Sequence, residues 1–463
     1  MPSVPCRFRS CRFPLGRFPL GQFRPDRFSP VRFSSVLFPP GRLRQFLIPL
    51  LAGALCCFGS PASRAAAPNT KPITIGFDIE LTGGLAPNGR AALLAMQIWA
   101  HNTNAAGGLL GRPVKLIYYD DQSNPAEVPG IVTKLLDVDH VDLLIGGNGT
   151  NVVAPAMPVA MAHHLTLLGL FGLDVNQTFH YKNYFSIIPA GGMHPTQSFS
   201  QGFFAVAASL KPKPRTVALV GADAEFSRNA LRGAREMAKQ YGFKVVYDAT
   251  YPPDTADYSP VVRAIQARHP DLVFVGSYPP DSVGMIRAAH EIGLHARMFG
   301  GGMVGLQATA IKTELGPLLN GIIDYDFWLP VKGFATPEAM AFLKQYQAAA
   351  TKVSGVDKLG YYLPPFAYAD LQVLGEAVRG TGSLDQGKLA DWLRSHTFDT
   401  VVGPIKFGPN GEWIAPRVLE TQFRGVTGHD MAQFTKPGTE VVLWPDAYRT
   451  GTPRTPYQTA AKP

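Results

Sequence analysis

A glycine-rich turn followed by two polar residues is the stretch of this sequence best suited to binding chemistry. Three glycines within 146–149 follow the apolar run 143–145, and Thr150 and Asn151 come next. The run has the length of a buried strand, glycine lets the chain bend sharply, and threonine or asparagine can cap the helix predicted afterwards. The start of such a helix offers unpaired N–H groups and the positive end of its dipole, which attract a carboxylate or another anion. An ordinary strand-to-helix turn has the same pattern, so the rest of the chain must decide.

The elements that would position this turn alternate between strand and helix. In order they are strand 71–79, helix 91–104, strand 114–119 and helix 126–136, followed by the strand, turn, helix and second strand of 141–173. This alternation predicts a parallel sheet covered on both faces, and ligands of such sheets bind beyond the carboxyl ends of the strands. Those ends are the loops 81–89, 120–124, 147–151 and 169–173.

A second series of the same kind begins after Pro189. Strands at 216–220, 244–247, 272–276 and 297–299 alternate with helices at 230–241, 258–268 and 282–292. Two series of similar length predict two similar lobes. Segment 321–327 then leads into long helices near 337–353 and 365–378. The end is predicted to be antiparallel, with 403–407, a PNGEW hairpin turn and 417–423, and the tail after Tyr448 to be loose.

Composition and charge exclude several classes of protein. An apolar content of 46% with 17% charged residues is typical of a globular chain rather than a disordered one. The net charge of +9 comes from residues 1–67, which hold ten arginines and one acid, so the rest of the chain is neutral. A neutral body argues against a nucleic-acid partner, which requires clustered basic residues. All four cysteines also lie before residue 68, so neither a disulfide nor a thiolate metal site is expected in the body.

Residues 1–67 are predicted to be a leader. The tract 6–44 repeats Arg-Phe with Pro, Gly and Ser and has no helical or strand period. Basic residues, an apolar run at 46–58 and small residues ending at Ala67 then follow in the order of a secretory signal peptide. The apolar run is too short to span a membrane. We therefore expect export with cleavage near Ala67, and favour a soluble product over a lipoprotein attached at Cys56 or Cys57.

An enzyme is the main alternative that the side chains of the body permit. His163 and His164 are adjacent on a predicted helix, so they point to different faces, and no metal-ligand spacing occurs. The sequence also contains neither a G-x-S-x-G nucleophile elbow nor a phosphate loop ending in Gly-Lys-Ser/Thr. We expect no enzymatic activity, no metal ion and no cofactor.

Several stretches give the chain a resemblance to a known family. They are LTGGLAPNGRAALLAMQIWAHNTNAAGGLLGRPVKLIYYDDQSNP, VDLLIGG with a helix ending in AHHL, DYSPVVRAIQARHPDLVFVGSYPPDSVGMIRAAHEIGL and GPIKFGPNGEW. By their order and spacing, over residues 72 to about 430, the chain resembles the branched-chain amino-acid-type substrate-binding proteins of bacterial ABC importers, the type I periplasmic binding proteins.

The resemblance implies an α/β fold of two Rossmann-like lobes joined by three crossover strands, with the ligand in the interlobe cleft. Lobe one would comprise 70–189 plus 326–400 and lobe two 190–325 plus 401–448, leaving 449–463 as a loose tail. It also implies a monomer in the periplasm that captures a small molecule and delivers it to the membrane permease of an importer. A sensor that reports the ligand to a receptor is the alternative with the same fold.

The resemblance also places ligand-facing positions on particular residues. Thr150 and Asn151 fall where the family usually has a serine that holds the ligand carboxylate. The segment of Phe171, Gly172 and Leu173 falls where polar groups normally meet an amino acid. Further positions implied to face the ligand are Asn88 in the first loop, His194 near the first crossover, Phe226 and Tyr278 as aromatic covers from lobe two, and Gly302 where amino-acid binders tend to have an acid.

Departures from the family pattern at two of these positions bear on the ligand class. Leu173 has no hydroxyl and Gly302 no acid, and a buried ammonium without a partner costs several kcal/mol. We therefore expect an aromatic or aliphatic carboxylate rather than a free amino acid. An acid supplied from Asp223, Glu225 or Asp281 would instead favour an amino-acid or amide ligand, and this alternative stays open. For Asp120 and Asp121, bonding within the loop is favoured over ligand contact.

Overall fold

A computed structural model describes residues 71–460 of the chain. The predicted leader and signal peptide, residues 1–67, lie outside the described residues. Within the described range the fold is mixed α/β, and strands alternate with helices through both predicted series. No helix between residues 71 and 460 is long and apolar enough to cross a membrane.

The first strand–helix series forms a parallel sheet. Its elements are β1 (Ile73–Ile79), α1 (Ala86–Ala105), β2 (Val114–Asp120), α2 (Val128–Asp137), β3 (Leu143–Asn148), α3 (Thr150–Ala162), β4 (Leu167–Leu170), α4 (Asn176–Phe179) and β5 (Tyr184–Ile187). The strands pair in parallel in the order β2-β1-β3-β4-β5. β3 lies in the middle of this sheet and is buried along its whole length, which explains its uninterrupted apolar start.

The second series forms a larger, mixed sheet. Its elements are α5 (Pro195–Ser209), β6 (Thr216–Ala222), α6 (Glu225–Tyr241), β7 (Lys244–Tyr251), α7 (Ser259–Gln266), β8 (Leu272–Ser277), α8 (Pro279–Ile292), β9 (Met298–Met303), α9 (Thr309–Leu315) and β10 (Ile323–Asp326). These strands are parallel to one another. Two later strands, β13 (Leu419–Phe423) and β14 (Glu440–Trp444), extend the sheet in antiparallel pairing, which gives the order β14-β13-β10-β9-β8-β6-β7.

The remaining elements return to both sheets. They are α10 (Pro337–Ala350), α11 (Leu363–Thr381), α12 (Gln386–Ser395), β11 (Thr397–Thr400), β12 (Gly403–Lys406), β13 (Leu419–Phe423), β14 (Glu440–Trp444) and α13 (Tyr457–Ala460). α10 and α11 pack against α1, so this helical pair belongs to the first lobe. Within the described chain, the connections between the lobes run through 188–194, 327–336 and 407–418. The predicted α/β fold of two lobes is confirmed, whereas the exact lobe boundaries stay predictions.

Two elements differ from the sequence-based expectation. Helix α1 begins at Ala86 rather than near residue 91, because Pro87 stands in its first turn, where the missing proline N–H is not needed. Strand β12 pairs with β11 across a tight turn at Gly403, where φ is +89°. The following segment, β13, pairs instead with β10 and β14.

The tail after Tyr448, for which a loose conformation is predicted, packs against the second lobe. The backbone N–H of Arg454 donates to the Oε1 atom of Gln422 at 2.9 Å. The ring of Tyr457 contacts that of Phe299 at 5.2 Å, and Tyr457 is buried. These contacts order the segment, and strand and helix periods in the sequence do not reveal them.

Candidate ligand-binding site

A cavity lies where the strands of both sheets end. Its lining includes the residue that directly follows each of β4, β5, β8, β9 and β10, namely Phe171, Ile188, Tyr278, Val304 and Phe327. The rest of the lining comes from the strand-to-helix turn 148–151 and from Leu85, Asn88, Phe226, Tyr325 and Tyr362. This is the position at which open α/β sheets bind their ligands, because only there do the loops of neighbouring strands converge.

The first turn of α3 contributes a helix N-terminus to the cavity. Gly149, with φ at +99°, precedes the helix, and Thr150 is its first residue. The prediction that Thr150 or Asn151 caps this helix is wrong, since within residues 71–460 no side chain caps it. Instead the Thr150 hydroxyl oxygen accepts the backbone N–H of Leu173 at 3.1 Å. The N–H groups of Val152 and Val153 donate to the Gly149 carbonyl, so the Thr150 hydroxyl proton and the N–H groups of Thr150 and Asn151 are left for a bound anion.

Asn151 joins the two lobes across the cavity. Its side-chain oxygen accepts the hydroxyl of Tyr278 at 2.5 Å and the backbone N–H of Phe226 at 3.2 Å. Tyr278 directly precedes α8, and Phe226 lies in the first turn of α6, so both partners come from lobe two. These hydrogen bonds hold the cleft in a closed arrangement.

Aromatic rings form most of the cavity wall. The ring of Phe171 lies 4.9 Å from that of Phe327 and 5.1 Å from that of Tyr362. Phe226 contacts Tyr278 at 5.9 Å. Phe171 has a φ of +58°, a left-handed conformation that costs energy for a bulky residue. Its aromatic contacts offset this cost, and the left-handed backbone places the ring at the cavity.

A pair of tyrosine hydroxyls lies within this aromatic wall. The hydroxyl oxygens of Tyr325 and Tyr362 are 2.8 Å apart, and both residues are buried. Burial raises the pKa of each phenol above its ordinary value, so both are neutral hydroxyls at physiological pH. Tyr325 belongs to β10, whereas Tyr362 directly precedes α11, so this pair also joins the two lobes.

The side chains that line the cavity, as far as the structure describes them, carry no formal charge. Among the residues that the structure describes, none that lines it is Asp, Glu, Lys, Arg or His. Asp223, Glu225 and Asp281, the acids considered for a ligand ammonium, all lie outside the lining. Asp281 is buried and accepts the hydroxyl of Tyr251 at 3.3 Å.

Asp78, Glu80 and Asp121 are buried carboxyl groups of lobe one. Burial, together with the charge of Asp121, raises the pKa of Asp78 to about 8 and that of Glu80 well above its ordinary value. Burial also raises the pKa of Asp121 to about 6. Both oxygens of Asp78 and of Glu80 are without a hydrogen-bond partner within the described part of the chain. Asp120 instead accepts N–H groups from Leu81 and Gln122, which confirms its expected loop role.

The structure brings together some of the residues predicted to face the ligand and not others. Asn88, Thr150, Asn151, Phe171, Phe226 and Tyr278 line the cavity. Gly172, Leu173, His194 and Gly302 do not. Leu173 is fully buried and supports the site through its N–H bond to Thr150, and the Gly172 carbonyl accepts the hydroxyl of Ser186 at 3.1 Å. His194 is exposed before α5, and Gly302 is buried within β9.

Sequence reasoning missed about half of the lining. The residues not anticipated are Leu85, Asn148, Gly149, Ile188, Val304, Tyr325, Phe327 and Tyr362. Ile188, Val304 and Phe327 each follow directly on a strand end of the structure, but none of these strand ends was predicted from the sequence. Tyr362 had no strand-end signal, because it comes from a loop between helices that only the packing of α11 brings to the cleft.

Comparison with known proteins identifies the family of the chain. A model of the periplasmic binding protein family matches residues 72–416, about three quarters of the chain. The chain belongs to the periplasmic binding protein family. One relative in this family, the "Amino acid binding protein" of Pseudomonas aeruginosa, is 23% identical over 340 residues, which cover 73% of this chain and 87% of the relative.

Solved structures of periplasmic binding proteins share the fold. The branched-chain amino acid substrate-binding protein LivJ of Streptococcus pneumoniae, in complex with isoleucine, superimposes with a TM-score of 0.67 at 18% identity. The match covers 81% of this chain and all of LivJ. A solute-binding protein of an ABC transporter from R. palustris, in complex with benzoate, gives a TM-score of 0.65 at 18% identity, covering 81% and 96% of the two chains. The fold is therefore that of the type I periplasmic binding proteins.

Proposed function

We propose that this periplasmic binding protein captures an aromatic carboxylate between its lobes and delivers it to the permease of an ABC importer. The lining of the cavity carries the proposal. It combines aromatic rings with the N-terminus of α3 and, across the described residues, has no charged side chain. Rings provide apolar area and edge-to-face contacts for an aromatic ligand, and the helix N-terminus stabilises its carboxylate.

The same lining argues against a free α-amino acid. A buried ammonium needs a carboxylate or several strong acceptors, and leaving it unpaired costs several kcal/mol. Asn88, Asn148 and Asn151 are the amide side chains at the cavity, and Asn151 already accepts two hydrogen bonds from lobe two. The named relative is an amino-acid binder and the structural neighbours bind isoleucine or benzoate, so the lining of this chain has to decide the ligand class.

Closure of the two lobes gives the proposed mechanism. Ligand first meets the α3 turn of lobe one, and lobe two then closes over it about the connections between the lobes. The closed form is stabilised by the bonds of Asn151 to Tyr278 and Phe226. We propose that the permease recognises this closed form in the periplasm, that the protein reaches the periplasm by cleavage of its leader near Ala67, and that it acts as a monomer.

A ligand screen tests the function. Thermal unfolding of the full-length protein is measured with benzoate, with an aliphatic acid such as hexanoate, and with leucine and isoleucine. We expect the aromatic acid to raise the Tm most, because a ligand that binds only the folded state stabilises it by mass action. Calorimetry then gives the Kd. A shift with leucine or isoleucine and none with benzoate would overturn the proposed ligand class in favour of an amino-acid binder.

A further inference from the structure

We propose that the Tyr325–Tyr362 hydroxyl pair recognises a hydroxyl group on the ring of the bound aromatic acid. The preferred ligand class is then a hydroxylated aromatic carboxylate, and these two tyrosines determine that preference. The inference rests on the proposed function, because it requires an aromatic acid in the cavity.

The hydrogen bonds of the pair leave capacity for a ligand. Each phenol offers one O–H donor and can accept hydrogen bonds. A single O–H of the pair is used in the 2.8 Å contact between Tyr325 and Tyr362. Neither hydroxyl has another partner among residues 71–460, so one donor and the remaining lone pairs are free. Both residues line the cavity, which places this free capacity beside the ligand.

The surroundings of the pair determine how strongly that free donor affects ligand affinity. The rings of Phe171, Phe199 and Phe327 pack against the two tyrosine rings and offer no strong acceptor. The carboxyl groups of Asp324 and Asp326 lie near enough to raise the pKa of both phenols, but in the described part of the chain neither bonds to a hydroxyl of the pair. Closure of the cleft removes water from the cavity, and a polar group left unpaired there costs more than the same group in water. A ligand hydroxyl satisfies the donor, whereas a ligand with only hydrogen at that ring position does not.

A series of ring contacts connects the start of α3 with the tyrosine pair. Asn151 at that helix start holds Tyr278, whose ring contacts Phe226 at 5.9 Å. Phe226 contacts Phe199 at 5.6 Å, and Phe199 contacts Tyr325 at 4.8 Å. A planar acid with its carboxylate at α3 and its ring along this wall therefore directs its far edge toward the tyrosine hydroxyls.

The pair is neutral, which suits it to a hydroxyl rather than to a cation. Burial raises the pKa of both phenols, so neither becomes a phenolate at physiological pH. A neutral pair can donate to the ligand hydroxyl and accept from it at the same time. One additional buried hydrogen bond corresponds to roughly tenfold in affinity.

Calorimetry of the full-length protein with benzoate, 3-hydroxybenzoate and 4-hydroxybenzoate tests the inference. We expect one of the hydroxylated acids to bind about tenfold more tightly than benzoate. In Tyr325→Phe and Tyr362→Phe that ratio should fall below about threefold. The ratio is the informative quantity, because the pair also joins the lobes and its loss weakens closure on every ligand to the same extent.

Tyr368→Phe provides the matched control. Tyr368 lies in α11, a short distance after Tyr362, and its hydroxyl accepts from Asn102 outside the cavity lining. This variant should retain the full ratio, and the Tm of each variant confirms that it is folded. If wild type binds all three acids equally, or if the preference survives in both tyrosine variants, the inference is wrong while the proposed function stands. If none of the acids binds wild type, the proposed function fails and the inference with it.

Discussion

At the scale of single residues, the Thr150 hydroxyl accepts one hydrogen bond and can donate another. Its hydroxyl oxygen accepts the N–H of Leu173, which fixes the loop after β4. Its hydroxyl proton remains free to donate into the cavity, beside the N–H groups that begin α3. The buried position of Thr150 means that water does not compete strongly for this donor.

Replacement of this hydroxyl should weaken the binding of a carboxylate. Thr150→Ala is expected to cost about 1.5–3 kcal/mol of binding free energy, the usual size of a hydrogen bond to a charged group. Calorimetry with benzoate measures the change. Thr150→Ser keeps the hydroxyl and serves as the control, with affinity expected within about threefold of wild type. An alanine variant with unchanged Kd would move the carboxylate away from α3.

At the scale of elements, helix α6 is the part of lobe two that contacts lobe one most directly. Asn229 is buried, and its amide donates to the carbonyl of Leu173 at 3.0 Å. Arg232, one turn later, pairs with Asp174 at 2.5 Å. Neither contact lines the cavity, so both favour the closed arrangement without recognising the ligand.

Loss of the Asn229 bond should weaken every ligand by the same factor. Asn229→Ala removes a buried hydrogen bond present only when the lobes are closed, and about 1 kcal/mol, or roughly fivefold in Kd, is expected. Stopped-flow measurement should place most of the change in the dissociation rate. Arg228→Ala is the control, since Arg228 pairs with Asp223 within lobe two. An effect that differs between ligands would mean that Asn229 takes part in recognition.

At the scale of the whole molecule, buried carboxyl groups set the dependence of stability on pH. Burial raises the pKa of Asp78 and of Glu412 to about 8, and the pKa of Asp370 and of Glu420 well above the ordinary value. The folded state therefore keeps protons that the unfolded state releases near pH 4. This stabilisation is complete below the unfolded pKa and is lost as the pH rises through the folded value.

The free energy of unfolding should fall as the pH rises from about 4 to 8. One group that keeps its proton in the folded state contributes a slope of at most about 1.4 kcal/mol per pH unit, which corresponds to one proton. Asp78→Asn should reduce the slope by the contribution of one group, as measured by urea unfolding at a series of pH values. The slope is the quantity compared, because the substitution also changes stability at every pH. An identical slope in the variant would show that Asp78 is ionised in the folded protein.

The order of elements and the general position of the site could be predicted from the sequence. Strand and helix periods depend on neighbouring residues, and the rule that ligands bind beyond strand ends needs only the strand positions. Thr150, Asn151 and Phe171 were found in this way, since each follows directly on a predicted strand or turn. Phe226 and Tyr278 needed the family resemblance, because nothing local distinguishes them from other aromatic residues.

The chemical character of the cavity was decided by the tertiary structure. Tyr325 and Tyr362 are 37 residues apart and meet only because β10 and α11 converge on the cleft from different lobes. The fully buried Leu173 and the exposed His194 were expected to face the ligand, yet the path of the chain after β4 and before α5 places both outside the lining. By itself the sequence determined the alternation of strands and helices in two similar lobes, since local periodicity is enough for that, whereas the connections between the lobes were implied by the family resemblance. Which side chains share one cavity depends on contacts between distant segments, and only the folded chain brings those segments together.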